Sequence, residues 1–326
     1  MSNFLIGLIS ALVATTTSAA ISNLVVKGTS APVATVNAND PGEKELQKLM
    51  DQDDEAQAEV DKWIRENQEF VAKGAGVSSA ALNQRILTRF EPVRKAYDDF
   101  IARHPKNVRA RVAYASFLGD ISDEDGAFKQ LEKARELDQT DPAVWNNLAN
   151  YYGHQGPVTK AFDYYAKAIE LNPNEAVYYH NFGTTVFLFR KDAVEHFNIT
   201  EQQVFDKALE LYSHALKLDP ANFPLASDVA QTYYGIKPPR TDDALRSWTN
   251  ALSLAHDEIE REGVYVHFAR IKTHSGRFAE AHAHLNAITN EMYADLKKRL
   301  VRALDEKESE ARGTNAPAAT VEKKRG

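Results

Sequence analysis

The chain of 326 residues contains no cysteine. That excludes disulfides, thiolate zinc sites, cysteine nucleophiles and anchoring through a lipidated cysteine. It does not fix the compartment, because an exported protein can do without disulfides. Basic charge is also in short supply: 39 Lys and Arg stand against 46 Asp and Glu, a net charge of -7 at pH 7. Proteins that neutralise nucleic-acid phosphates usually present a basic face, so no nucleic-acid partner is expected. There is no Gly-x-x-x-x-Gly-Lys-Ser/Thr phosphate loop and no Gly-x-Ser-x-Gly nucleophile elbow. A calcium loop opening at Asp51 would want glycine at its sixth place and glutamate at its twelfth, but Ala56 and Lys62 stand there. The acidic run Asp51, Asp53, Asp54, Glu55 and Glu59 therefore reads as a solvated helix face.

What is present begins with an uncharged stretch, Phe4–Val26. Its most apolar part, Phe4–Val13, suits the core of an export signal, and Thr17 to Ala20 are small enough for cleavage. The basic start of such a signal is missing. Apolarity resumes at Ile21–Val26, so the alternatives are an uncleaved membrane anchor of about 20 residues or a helix docked on the rest of the chain. Residues 1–26 are thus expected to be a signal peptide or anchor. The corresponding place is the periplasm or cell envelope, or the membrane, rather than the cytoplasm. Residues 27–41 are small, polar and Pro-containing, and read as a linker.

From there on the periodicity is helical. Leu46, Leu49, Val60, Trp63 and Ile64 carry it from about residue 42 to 73, and Phe90, Val93, Tyr97 and Phe100 carry it up to Pro105. Pro142–Glu175 is the most regular stretch. Trp145, Leu148, Ala149 and Tyr152 share one helix face; Ala161, Tyr165 and Ala168 share another; Gly156-Pro157 breaks the chain between them. Small residues facing small residues let two antiparallel helices approach closely.

With Gly156 and Pro173, these positions resemble the 34-residue tetratricopeptide repeat (TPR), with Ala149 in place of the usual glycine. The neighbours keep the register. Residues 108–141 supply Tyr114, Ala115, Leu118, Ala127, Leu131 and Ala134. Residues 176–222 supply Tyr179, Phe182, Gly183, Ala208, Tyr212 and Pro220, with 13 extra residues inside Phe187–Phe205. Thr200 and Gln203 read as a capping box that opens the helix after this insertion. Residues 223–257 and 262–290 complete the set, the former with Pro238-Pro239 stiffening its turn. Residues 42–107 are read as N-terminal capping helices with a degenerate repeat, 291–312 as a C-terminal capping helix and 313–326 as a disordered tail.

The resemblance, of a bacterial envelope type, implies an all-α fold: a right-handed α-solenoid of TPR helical hairpins with N- and C-terminal capping helices. It also implies a non-catalytic scaffold that binds a protein or peptide partner in a concave groove lined by the first helices. Carried over by position, the groove residues are Asn146, Asn150, His154, His180, Thr184, Phe187, Gln231, Tyr234 and Arg270, with His274 beside them. The Lys and Asn set that holds chaperone C-termini in some relatives is not matched: Val112, Asn146 and His180 fill the fifth places. No cofactor, metal site or catalytic residue is expected.

Two rival readings remain. Five of the ten histidines fall between His256 and His284, and His267, Arg270 and His274 share a helix face. A metal-dependent enzyme could use these, with the insertion as a lid. No two histidines stand three or four apart on a helix, however, the spacing a helical zinc pair wants. The other rival is a membrane-tethered assembly factor, held through residues 4–26.

Overall fold

The computed structural model describes residues 40–72 and 74–314. The expected signal or anchor at 4–26, most of the linker and the tail from residue 315 lie outside the described residues. Among the described residues there are fourteen α-helices, two short 3-10 helices and no strand. None of these helices is long and apolar enough to cross a membrane. The described residues fall into two compact units that divide between Leu218 and Asp219.

In the first unit α1 (Pro41–Ala72) packs against α2 (Ser79–Arg103), α3 (Val108–Asp120) against α4 (Glu124–Leu137), and α5 (Pro142–Gln155) against α6 (Val158–Leu171). The next pair is α7 (Ala176–Leu188) with α9 (Glu201–Leu218), and the insertion between them is a separate helix, α8 (Arg190–Phe197). The second unit pairs α10 (Phe223–Thr232) with α11 (Thr241–Leu254), and α12 (Glu258–His274) with α13 (Phe278–Ala287). The last helix, α14 (Ala294–Thr314), lies on α13 and α12.

Short polar side chains start many of these helices. Asn107, Asp123, Asp141, Asn222 and Asp257 each accept a hydrogen bond from a backbone N–H of the first turn. Each such cap contributes about 1 kcal/mol by satisfying a donor the helix itself leaves open. At α9, Thr200 and Gln203 bond reciprocally: the Thr200 N–H donates to Gln203 Oε1 (2.9 Å) and the Gln203 N–H to Thr200 Oγ1 (3.3 Å).

The hairpin α5–α6 shows why the pattern wants small residues. Ala149, Ala161 and Ala168 have no exposed surface, and around them Tyr152 and Trp145 set their edges against Tyr164 at 5.4 and 5.1 Å. In α7–α9 the approach is closer still. A β-carbon on Gly183 would stand 3.0 Å from the Tyr212 ring, whose hydroxyl is held 3.0 Å from Thr184 Oγ1. The inserted α8 is itself packed: Phe197 and His196 each lie 5.2 Å from Phe162, ring centroid to centroid.

Two boundaries differ from expectation. The helix expected from about Glu262 begins a turn earlier, at Glu258, behind the Asp257 cap. Glu262 is instead buried, and its carboxylate accepts from the Thr289 N–H and hydroxyl and from the Asn290 N–H, at 2.8–2.9 Å. A 3-10 turn, Glu291–Tyr293, then precedes α14.

Candidate binding site

The expected groove residues of the first unit have unequal access to solvent. Asn146 and Thr184 are buried, which corrects their reading as ligand-facing side chains. Asn146 Oδ1 accepts from Asn181 Nδ2 (3.1 Å), joining α5 to α7, and Thr184 meets the Tyr212 hydroxyl on α9. Positions on the flank of a first helix that meet another helix are thereby consumed by packing. Asn150 is half-buried and its Oδ1 accepts from the Tyr165 hydroxyl (2.6 Å), which occupies one of the two lone pairs of that oxygen. His180 is half-buried with its ring against Tyr212, and Phe187 packs on Phe205 with Arg190 5.5 Å from its ring. His154 is exposed at the end of α5.

The second unit is where the structure gathers expected residues around a cavity. A pocket of about 310 Å³ is lined by Tyr234 and Arg270, with His274 and Ser275 at the end of α12 and Tyr233, Arg240 and Thr241 across from them. Ala230, Ile236, Ala244 and Ile271 form its apolar floor, each of them buried. Gln231 is half-buried and is not part of this lining.

The elements place these groups for local reasons. After Thr232 the helix tightens into a 3-10 turn, Tyr233–Gly235, which turns Tyr234 outward. The chain then runs through Pro238-Pro239, where no backbone N–H is available to continue a helix, and returns at Thr241 to form the opposite wall. Arg240 stacks over Tyr233 (5.3 Å) while its Nε donates to Asp243 (2.6 Å).

Tyr234 shows its ring to solvent, with 44% of the residue exposed, but its hydroxyl points inward and meets His267 Nδ1 at 2.9 Å. Burial raises the Tyr234 hydroxyl above the ordinary tyrosine range, so it stays protonated. His267 is buried, stacked on Trp248 with ring centroids 3.8 Å apart. Burial, with the Arg270 charge added, pushes its pKa well below the usual 6.5 and keeps it neutral. The Arg270 guanidinium lies 5.1 Å from the centre of the Tyr234 ring. Among the described residues no carboxylate pairs with it. His274 is exposed, and its Nδ1 meets the Arg270 carbonyl oxygen at 2.7 Å.

The site is therefore an apolar slot with a cation held on an aromatic face at its edge. It can receive an apolar side chain and pair with a nearby negative charge. Ser275 stands next to His274 in the lining, and its hydroxyl donates to the Lys272 carbonyl oxygen (3.2 Å). His267 and His274 belong to no group of three potential metal ligands among the described residues. Tyr234, Arg270 and His274 were legible by repeat position. Tyr233, Ile236, Arg240 and Thr241 were not; the signal that could have found them is the two-residue lengthening at Pro238-Pro239.

Residues 142–175 match the family model described as Tetratricopeptide repeat. Human Protein IFIT1 homolog B is 23% identical over 215 residues, 62% of this chain and 44% of that protein. The Photosystem I assembly protein Ycf3 of Acaryochloris marina (strain MBIC 11017) is 31% identical over 112 residues, 34% of this chain and 63% of that protein. The chain thus spans 44% and 63% of the length of these curated relatives. A solved structure, the IFIT1 monomeric mutant with Gppp-AAAA, shares the fold with a TM-score of 0.53 at 18% identity, over 68% of this chain and 51% of that one.

Proposed function

From a chain whose residues 142–175 are a tetratricopeptide repeat, flanked by hairpins of the same build, we propose a non-catalytic scaffold that binds a protein partner through an extended segment. The observation that carries this is the Tyr234–Arg270 pocket, an open apolar slot whose guanidinium pairs with no carboxylate among the described residues. A segment with an apolar side chain and an acidic neighbour matches it. The relative Ycf3 is named as an assembly protein, which agrees with a role in bringing proteins together. A random peptide library displayed against the full chain tests the reading. Wild type should enrich peptides carrying an acidic residue next to an apolar one. Ser275→Trp, at the exposed rim, and Arg270→Glu should each lose that enrichment; unchanged enrichment in both variants would overturn the proposal.

An RNA-binding role is the reading suggested by the Gppp-AAAA held by the IFIT1 structure. The net charge of -7 weighs against it. The uncharged run at residues 4–26 supports export or a membrane tether. N-terminal sequencing of the mature protein separates these: a start near Ala20 or Ile21 means cleavage, and an intact start in the membrane fraction means an anchor.

A further inference from the structure

A cluster of side chains at the far end of the second unit has no part in the pocket. His282 stands on α13, and Asp305 and Glu308 stand three residues apart on α14, so both carboxylates share a helix face. His282 Nε2 lies 3.2 Å from Glu308 Oε2 and 3.9 Å from Asp305 Oδ1. One ligand atom from each of the three falls within 4.8 Å of the others, and no other such group of three occurs among the described residues. We propose that His282, Asp305 and Glu308 bind a divalent transition-metal ion of the zinc class, which fastens α14 to the last hairpin.

The donor set fits that class. One imidazole nitrogen and two carboxylate oxygens are ligands that zinc takes at about 2.0–2.2 Å, which for tetrahedral geometry spaces the donors about 3.4 Å apart. The two separations from His282 Nε2, 3.2 and 3.9 Å, bracket that value. A neutral nitrogen beside two oxygens, with no thiolate, favours zinc, cobalt or manganese over copper(I). All three side chains reach solvent, with 37%, 60% and 24% exposure, so water can fill the fourth position.

The second oxygen of Glu308 supports the assignment. Oε1 accepts from Arg312 Nη2 at 2.6 Å, while Oε2 is the atom that faces His282. The two partners divide the carboxylate, and an ion at Oε2 does not compete with Arg312. A metal-ligating carboxylate held from behind by a hydrogen bond is the usual arrangement, because it fixes the oxygen toward the ion. Arg312 is therefore a positioning residue.

Calorimetric titration of the untagged full chain with zinc chloride is the test, with thermal melting as a second readout. We expect one zinc per chain and a melting temperature that rises with zinc concentration, as mass action requires. His282→Gln should abolish both effects while leaving the metal-free melting temperature close to wild type. Arg312→Gln, with all three ligands intact, should weaken binding by about tenfold. Absence of stoichiometric binding by wild type, or binding that His282→Gln leaves unchanged, overturns the proposal.

Discussion

At the scale of single residues, a buried histidine and a half-buried aspartate give opposite acid responses. His267 is held neutral by burial against Trp248 and Tyr234, with its folded pKa well below 6.5. Its contribution to stability is complete above about pH 6.5, the unfolded value, and is lost as pH falls toward the folded one. Urea unfolding of the wild type should thus weaken on acidification below that value, and His267→Gln should flatten the slope. Asp53 on α1 behaves the other way. Burial first of all, despite the hydrogen bond from the Tyr97 hydroxyl (3.0 Å), raises its pKa from 3.8 to about 6. The folded state then holds its proton where the unfolded chain has released it, so stability falls as pH rises from about 4 to about 6. Asp53→Asn, which still accepts from Tyr97, should remove that fall and be more stable than wild type at pH 7, by on the order of 2 kcal/mol. Asp53 stood in an acidic run that reads as a solvated face. Its neighbours Asp51, Asp54 and Glu55 are exposed as expected, and only the packing of Tyr97 across from α1 sets Asp53 apart.

At the scale of elements, helix ends carry much of the specification. The pattern of repeat positions located the hairpins, but it could not locate the ends of α12, because a helix extends as far as a cap allows. Asp257 provides that cap one turn before the repeat would begin. Glu262, which counting places at the start, becomes the clasp for the turn after α13 through its three accepted bonds. Glu262→Gln replaces one of the two acceptor oxygens with a donor that faces the Asn290 N–H. The expected cost is about 1–3 kcal/mol, measured as a lower denaturation midpoint with an unchanged denaturant slope. A changed slope, or no change in midpoint, would contradict the role assigned to this carboxylate. The insertion inside residues 187–205 shows the same division. Its size followed from counting, and its form as a separate α8 follows from Phe197 and His196 settling against Phe162.

At the scale of the whole molecule, charge is the property with the widest reach. With 39 basic against 46 acidic residues, the field around the chain repels phosphate backbones more than it attracts them. Mobility-shift titration with single-stranded RNA at physiological salt should show no complex in the micromolar range, where non-specific nucleic-acid binders already associate. A complex that persists there would reopen the reading suggested by the likeness to IFIT1.

The order of hairpins was legible in the sequence, because helical periodicity, small residues at fixed places and Pro or Gly at the breaks are local signals. Tyr234, Arg270 and His274 were legible as candidates for the same reason. Which groove positions remain open was not legible, since Asn146 and Thr184 look as polar in sequence as Asn150 or His154 and are removed from solvent only by contact with Asn181 and Tyr212. Nor was the zinc-class cluster legible. Its histidine and its carboxylates are separated by 23 and 26 residues and meet only when α14 folds back onto α13. Spacing along one helix is a property of the chain, whereas proximity between two helices is a property of their packing, and only the tertiary structure decides it.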